Sequence, residues 1–302
     1  DGLQTIEVTG APHDCLRLIY DGDDKLFVPV ENIEVLSRYG SGEAGAKLDR
    51  LGSAAWQARH AKLKKRVLEM ANELIQTAAA RNLKTTMPIP IPSGVFEEFC
   101  ARFPFNETED QQRAINDVIN DFTQGHPTDR LICGDVGFGK TEIALRAAFA
   151  VSYEGKQVAI VTPTTLLCRQ HYQVFKDRFK GFPMRIAQLS RLVRTKEAKE
   201  TKLALSKGQV DIVIGTHALL AKDVRFKALG LLVIDEEQHF GVAHKERLKK
   251  FRADIHVLTL SATPIPRTLQ QALTGIRDMS LIATPPVDRL AVRTFVLPFD
   301  PV

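Results

Sequence analysis

One eight-residue stretch restricts the possible folds of this chain more than any other feature. Gly134-Asp-Val-Gly-Phe-Gly-Lys-Thr141 follows the apolar run Arg130-Leu-Ile-Cys133 and precedes a stretch with helical character. Glycines at three of its positions allow a tight turn whose backbone N–H groups point inward. A helix that begins at the end of the turn adds positive potential. The stretch therefore predicts a strand–loop–helix unit that binds phosphate.

The chain from about residue 95 onward repeats this alternation of strand and helix. Four more apolar runs are separated in several places by helical stretches: Val158–Val161, Ile212–Ile214, Leu231–Ile234 and Val257–Leu260. Consecutive strand–helix units predict a parallel, doubly wound sheet with helices on both faces. The expected fold class for this region is α/β.

The first 94 residues follow a different pattern. Residues 3–36 alternate apolar and polar side chains in short runs separated by turn formers, which predicts a small antiparallel β unit. The stretch from about 48 to 82 lacks proline and has apolar residues at helical spacing, which predicts a long amphipathic helix. Three prolines exclude a helix between 83 and 94. We expect domains at 1–45 (β module), 46–94 (helix and Pro-rich linker) and 95–302 (α/β lobe).

The composition excludes several broad classes of protein. Of the 302 residues, 44% are hydrophobic and 25% charged, which excludes disorder as the main state. No apolar run approaches the roughly 20 residues of a membrane helix, and the four cysteines lack zinc-type spacing. We expect a cytoplasmic protein with no membrane partner. Because the sequence opens at Asp1 without a signal peptide, we also expect it to be part of something longer.

A second motif places carboxylates at the end of a predicted strand. Asp235 and Glu236 follow the run Leu231–Ile234 directly, at the edge where open α/β sheets bind ligands. Asp235 is suited to hold Mg²⁺, and Glu236 to orient and deprotonate a water in line with a γ-phosphate. The alternative is an acidic strand end that only caps the next helix. With Lys140 on the β/γ-phosphates and Thr141 on Mg²⁺, the pair indicates nucleotide hydrolysis.

A third feature lies about 25 residues before the phosphate-binding loop. Phe103 and Phe105 precede Thr108, a predicted helix N-cap, and Gln111. The amide of Gln111 has both a donor and an acceptor, which match the N6 and N7 edge of adenine, and a nearby aromatic ring could stack on the base. The alternative is a capped helix after a hydrophobic pair with only a structural role.

Six motifs occur in an order that resembles a known superfamily. They are Phe105-x-x-Thr108-x-x-Gln111, Gly134–Thr141, Pro163-Thr-Thr165, Gly215-Thr-His217, Asp235-Glu-Glu-Gln238 and Ser261-Ala-Thr263. They resemble motifs Q, I, Ia, Ib, II and III of superfamily 2 helicases and translocases. The resemblance implies a RecA-like P-loop lobe with a parallel sheet, here preceded by a small antiparallel β module and a long linking helix.

Longer stretches narrow the resemblance. Three stretches resemble the branch that contains branch-migration helicases and bacterial transcription-repair coupling factors: Asp135–Glu142, Ile214–Leu220 and Ala262–Thr268. Lys25–Val30, Leu36–Gly40 and Leu51–Trp56 are similar to the RNA-polymerase-interacting module and linking helix of the coupling-factor family. The resemblance covers essentially the whole chain.

The resemblance implies an ATP-driven motor on double-stranded DNA that couples transcription to nucleotide excision repair. ATP and Mg²⁺ are the implied cofactors. The implied partners are double-stranded DNA, the β subunit of a stalled RNA polymerase through residues 1–40, and excision-repair proteins through parts outside this sequence. The resemblance thus assigns the polymerase contact to residues 1–40 and the motor activity to the α/β lobe.

The roles of the family's residues carry over motif by motif. Nucleotide contacts fall on Phe105, Gln111, Gly134, Asp135, Val136, Gly137, Phe138, Gly139, Lys140 and Thr141, metal contacts on Thr141 and Asp235, and catalysis on Lys140, Asp235 and Glu236. DNA-backbone contacts fall on Thr164, Thr165, Thr216 and His217, since short hydroxyls suit contacts that are blind to sequence. Gln238, Ser261 and Thr263 would relay the nucleotide state to the DNA.

The sequence departs from the family pattern in two places. His239 stands where the family often has arginine, so no contact of such an arginine is assigned. Motifs IV to VI do not follow residue 268, and we expect the second motor lobe and its arginine finger to be missing. The 302 residues alone should therefore bind Mg·ATP and hydrolyse it slowly at best. Two other functions stay open, a polymerase-docking module and a branch-migration helicase.

Overall fold

The computed structural model describes residues 2–8, 11–22, 24–36, 50, 54–237, 240, 248, 254–262 and 277–286. The chain divides into two compact units, residues 1–73 and 74–302. In the described part, no helix has the length and apolar character needed to cross a membrane.

A three-stranded antiparallel sheet lies in the first unit. Strands β1 (Gly2–Val8), β2 (Ala11–Ile19) and β3 (Lys25–Pro29) lie in the order β1-β2-β3, and a 3₁₀ helix at Val30–Val35 follows. Cys15, near the middle of β2, is buried. The prediction of a small antiparallel β unit is confirmed.

The linking helix lies within the range predicted for it, about 48 to 82, and the segment after it has no helix, as predicted. Helix α1 spans Ala54–Asn82. The chain from 83 to 94 contains no helix or strand and is hydrogen-bonded to residues 122 and 125. The N–H of Thr86 donates to Gly125 O at 2.8 Å, and that of Ile89 donates to Phe122 O at 2.9 Å. These bonds satisfy backbone groups that the prolines keep out of a helix.

The second unit is built on a seven-stranded parallel sheet. Its strands are β4 (Asp129–Gly134), β5 (Gln157–Val161), β6 (Ile186–Leu189), β7 (Ile212–Gly215), β8 (Leu229–Asp235), β9 (His256–Ser261) and β10 (Asp278–Ile282). They lie in the order β10-β4-β9-β8-β5-β7-β6, and every neighbouring pair is parallel. The α/β class with a RecA-like parallel sheet is confirmed.

Helices cover both faces of this sheet. They are α2 (Val95–Ala101), α3 (Glu109–Thr123), α4 (Lys140–Tyr153), α5 (Thr165–Arg178), α6 (Thr195–Lys207) and a 3₁₀ helix at His217–Leu220. Alternate residues of one strand point to opposite faces, so Val158 and Ile160 join one apolar cluster with α2 to α5. Ala159 and Val161 join the other cluster, which α6 enters through Leu205.

Two of the seven strands were not predicted from the sequence. β6 and β10 are the outermost strands of the sheet within the part of the chain that the structure describes. Each is short and has partly or fully exposed positions, whereas β5 and β7 are buried throughout. An edge strand lacks the continuous apolar run of a central parallel strand, so the pattern used for the other five does not detect it.

Candidate active site

The sequence motifs meet because every strand of a parallel sheet ends at the same edge. The phosphate-binding loop Gly134–Thr141 (the P-loop) begins at the last residue of β4. β9 ends at Ser261, and β8 ends at Asp235. β9 lies between β4 and β8 in the sheet. The P-loop and the acidic motif therefore flank one strand end, which is the binding edge of an open α/β sheet.

The backbone of the P-loop requires glycine at two positions. Gly137 has φ 83° and Gly139 has φ 79°, both in the left-handed region. A methyl group at Gly139 would also overlap the side-chain nitrogen of Gln111. The loop turns directly into α4, which begins at Lys140, so its N–H groups and the helix terminus form a cradle for phosphate.

The ammonium of Lys140 lies inside the loop, near the two acids. Its Nζ donates to the carbonyl oxygens of Gly134 at 2.6 Å and Asp135 at 3.0 Å. Burial lowers the pKa of Lys140, and the carboxylates of Glu236 and Asp235 oppose that effect. The structure therefore brings the ammonium of the P-loop and both carboxylates of the acidic motif into one site.

Asp235 has a partner that the sequence analysis did not identify. Nε2 of His171, on α5, lies 3.0 Å from Oδ2 of Asp235, and both side chains are largely buried. The two residues are 64 positions apart. His171 belongs to none of the six motifs, so no spacing signal pointed to this pair.

Glu236 has an unusual backbone and a bond to the neighbouring loop. Its φ of 52° is the one positive value at a non-glycine position in the described part of the chain. Its N–H donates to Leu260 O, and its Oε1 accepts from the N–H of Ala262, both at 2.9 Å. The acid therefore contacts the motif that begins at Ser261, which is buried. Gln238 and Thr263, assigned to the relay, lie outside the described residues.

Gln111 is buried and hydrogen-bonded within the chain. Its Oε1 accepts from Thr108 N–H at 2.9 Å, while the Thr108 hydroxyl accepts from Gln111 N–H at 3.2 Å. This capping box confirms Thr108 as the N-cap of α3. Nε2 of Gln111 donates to Phe138 O in the P-loop at 2.9 Å. One amide hydrogen and one oxygen lone pair remain for a ligand.

A cavity adjoins Gln111 and the P-loop. It has a volume of about 270 Å³, and its lining includes Phe103, Phe105, Gln111, Gly137 and Gly139. Phe105 is 56% exposed and meets Phe103 edge to face, with the ring centroids 5.5 Å apart. An exposed aromatic ring beside a partly free amide is suited to a planar base.

The four residues predicted to face DNA lie after β5 and β7 but differ in exposure. Thr164 is exposed and caps α5 by accepting from Leu167 N–H at 3.2 Å, and Thr165 is half-buried. His217 is half-buried at the start of a 3₁₀ helix. Thr216 is only 2% exposed, and its buried hydroxyl has no hydrogen-bond partner among the described residues. The Thr216 hydroxyl is therefore not on the surface where DNA would bind.

The residues present fit a magnesium–nucleotide complex. Left-handed glycines and the start of α4 supply N–H donors for phosphate oxygens, and Lys140 adds a positive charge. The hydroxyl of Thr141 and the carboxylate of Asp235 are hard oxygen ligands, the type that Mg²⁺ prefers beside phosphate. Glu236 has a second carboxylate oxygen beyond the one bonded to Ala262.

The parallel sheet and this loop define a P-loop nucleotide-binding protein. Residues 108–272, more than half of the chain, match the model of the DEAD/DEAH box helicase family. The chain belongs to that family. Residues 1–40 match a second model, that of the CarD-like/TRCF RID domain.

Some relatives are similar in sequence to the chain over both of its units. The chain is 54% identical to the transcription-repair-coupling factor of Rickettsia prowazekii (strain Madrid E) and 49% identical to that of Escherichia coli (strain K12). Each alignment covers 99% of this chain, which spans about a quarter of the length of these relatives. A solved structure of RecG bound to a three-way DNA junction is 32% identical, with a TM-score of 0.63 over 88% of this chain and 36% of that one.

Proposed function

We propose that this chain carries the first motor lobe of an ATP-driven translocase on double-stranded DNA, in a protein that couples transcription to nucleotide excision repair. The observation that carries the proposal is that Lys140, bonded to the P-loop carbonyls, also interacts electrostatically with the carboxylates of Glu236 and Asp235. Membership of a helicase family and the similarity to coupling factors over both units support it.

Each residue of the site has a defined part in hydrolysis. The P-loop N–H groups and Lys140 bind the β- and γ-phosphates. Thr141 and Asp235 would hold Mg²⁺, and the metal would supply positive charge next to the phosphate oxygens. Glu236 orients the attacking water and takes its proton. Phe105 and Gln111 bind adenine in the cavity beside the loop.

The 302 residues by themselves should bind Mg·ATP and turn it over very slowly. In P-loop enzymes an arginine supplied from another lobe or protein raises the rate by roughly 10³ to 10⁵, and the corresponding motifs do not follow residue 268. Calorimetry with Mg·ATP tests binding, and steady-state hydrolysis with and without duplex DNA tests turnover. Absence of nucleotide binding would refute the proposed site. Turnover at the rate of a complete motor would refute the dependence on a second lobe.

Residues 1–40 are proposed to bind the β subunit of RNA polymerase. The match of this segment to the CarD-like/TRCF RID domain supports this. Among the described residues, β1 and β3 each pair with β2 alone, which leaves an edge suited to an added strand. Leu3 on β1 is 67% exposed. Leu3→Asp should weaken retention of purified polymerase, whereas Lys140→Ala should leave it unchanged. Equal retention by all three proteins would exclude the β1 edge.

A branch-migration helicase is the second candidate. The likeness to a RecG structure, described as bound to a three-way DNA junction, favours it. Such an enzyme would use the front of the chain to contact forked DNA in place of polymerase. Binding of the chain to forked and linear duplexes of equal length distinguishes the two functions. A clear preference for the fork, without polymerase binding, would favour the helicase.

A further inference from the structure

We infer that His171 is a positioning residue that orients the carboxylate of Asp235 for Mg²⁺. The inference rests on the proposed function, which makes Asp235 a metal ligand. The geometry that carries it is the 3.0 Å contact between His171 Nε2 and Asp235 Oδ2. The side chains are only 12% and 13% exposed, so water has little access to compete for this bond.

The contact fixes which oxygen of Asp235 is available. A carboxylate is acceptor-only, so Nε2 of His171 carries the hydrogen and donates it to Oδ2. Oδ1 has the freedom to face the metal or a water bound to it. Hydrogen bonds of this kind set the orientation of metal-ligating carboxylates, and their loss typically costs about 10- to 100-fold in metal affinity or activity.

Helix α5 is built to hold the imidazole in place. Cys168 and Phe175, three residues before and four after His171, share its side of the helix and are fully buried. Phe175 also stacks on Phe179, with the ring centroids 5.9 Å apart. The Thr164 cap fixes the start of the same helix. The buried residues Cys168 and Phe175 therefore anchor the side of α5 that carries His171, so Asp235 meets a donor on a helix that is held in place.

Removal of this donor should weaken the contribution of Mg²⁺ to nucleotide binding and leave metal-free binding intact. The probe is fluorescent mant-ADP, titrated with the full chain in excess Mg²⁺ and in EDTA. His171→Leu should reduce the gain in affinity that Mg²⁺ provides by about 10-fold or more. Gln170→Leu, an exposed neighbour on the same helix, should behave like wild type. In an Asp235→Asn background, His171→Leu should have little further effect.

Two amide variants keep the test decisive if His171→Leu does not fold. The amide of glutamine reaches about as far as Nε2 of histidine, while that of asparagine stops near Nδ1. His171→Gln should therefore retain the Mg²⁺ effect, and His171→Asn should lose it. Equal behaviour of these two variants would overturn the inference, as would an equal loss of affinity in Mg²⁺ and EDTA. Failure of wild type to bind mant-ADP at all would instead refute the proposed function.

Discussion

The carboxylate of Glu236 accepts a hydrogen bond of 2.9 Å from the backbone N–H of Ala262. This bond joins the residue after β8 to the residue after β9, two strands that are neighbours in the sheet. Glu236 also has a left-handed backbone, with φ 52°. Strained conformations of this type persist where the surroundings hold them and are concentrated at functional sites. A shift of the loop after β9 would therefore move the acid proposed to activate water.

In the full-length protein, Glu236→Gln should separate nucleotide binding from hydrolysis. The glutamine oxygen can still accept from Ala262 N–H, so the dissociation constant for Mg·ATP should stay within about twofold of wild type. Loss of the general base should lower single-turnover hydrolysis by about 10²- to 10⁴-fold. Calorimetry and a radiolabelled ATP assay measure the two quantities. Unchanged hydrolysis would remove Glu236 from the mechanism.

Gly139→Ala should cost more stability than a matched glycine substitution elsewhere. The new methyl group meets both the strain of φ 79° and an overlap with Gln111. Gly155 has φ 72° with nothing within 4 Å of a methyl group, so Gly155→Ala adds strain alone. We expect a loss of about 1–3 kcal/mol from the strain at either site and a larger loss at Gly139. Urea unfolding compares the two, and equal losses would mean that Gln111 moves aside freely.

Gln111→Ala should destabilise the lobe even without nucleotide. The substitution removes the partners of Thr108 N–H and Phe138 O, and buried unpaired groups cost about 1–3 kcal/mol. Gln112→Ala, at an exposed position on the same helix, is the control and should change the free energy of unfolding little. If both variants melt at the same temperature, the amide bridge to the P-loop is not structural.

His256 should make the lobe less stable in mild acid. Burial lowers its pKa from 6.5 to about 4, with a smaller contribution from His126. Between these two values the unfolded chain binds a proton that the folded chain does not, so stability is full above about pH 6.5 and falls as the pH drops towards 4. The shift corresponds to at most about 3 kcal/mol.

Urea unfolding at a series of pH values measures this effect. His256→Asn removes the titrating group, so its stability should vary less than that of wild type between pH 6.5 and 4. The asparagine amide lies near the position of Nδ1 and can retain a bond to the Thr128 hydroxyl, which is 2.9 Å from His256 Nδ1. Parallel curves for the two proteins would assign the acid sensitivity to other groups.

The features that could be predicted from the sequence are those that depend on residues close together along the chain. The P-loop, the cap at Thr108 and five central strands were predictable, because glycine spacing, capping residues and continuous apolar runs are local signals. The edge strands β6 and β10 give weaker patterns. The contacts of His171 with Asp235 and of Gln111 with Phe138 join residues 64 and 27 positions apart. No local signal selects such partners among the many chemically acceptable ones, so these contacts required the tertiary structure.

The place of β10 in the sheet has a consequence for the order of assembly. β4, which leads into the P-loop, has β9 on one side and β10 on the other, and Gly134 packs closely against Ile282. During synthesis, β4 and the P-loop leave the ribosome long before β9 and β10, the two strands that flank β4 in the sheet. β4 can pair with them only after these later residues have been made, and such long-range pairing slows folding. The nascent lobe should therefore acquire nucleotide affinity only after residue 282 has left the exit tunnel.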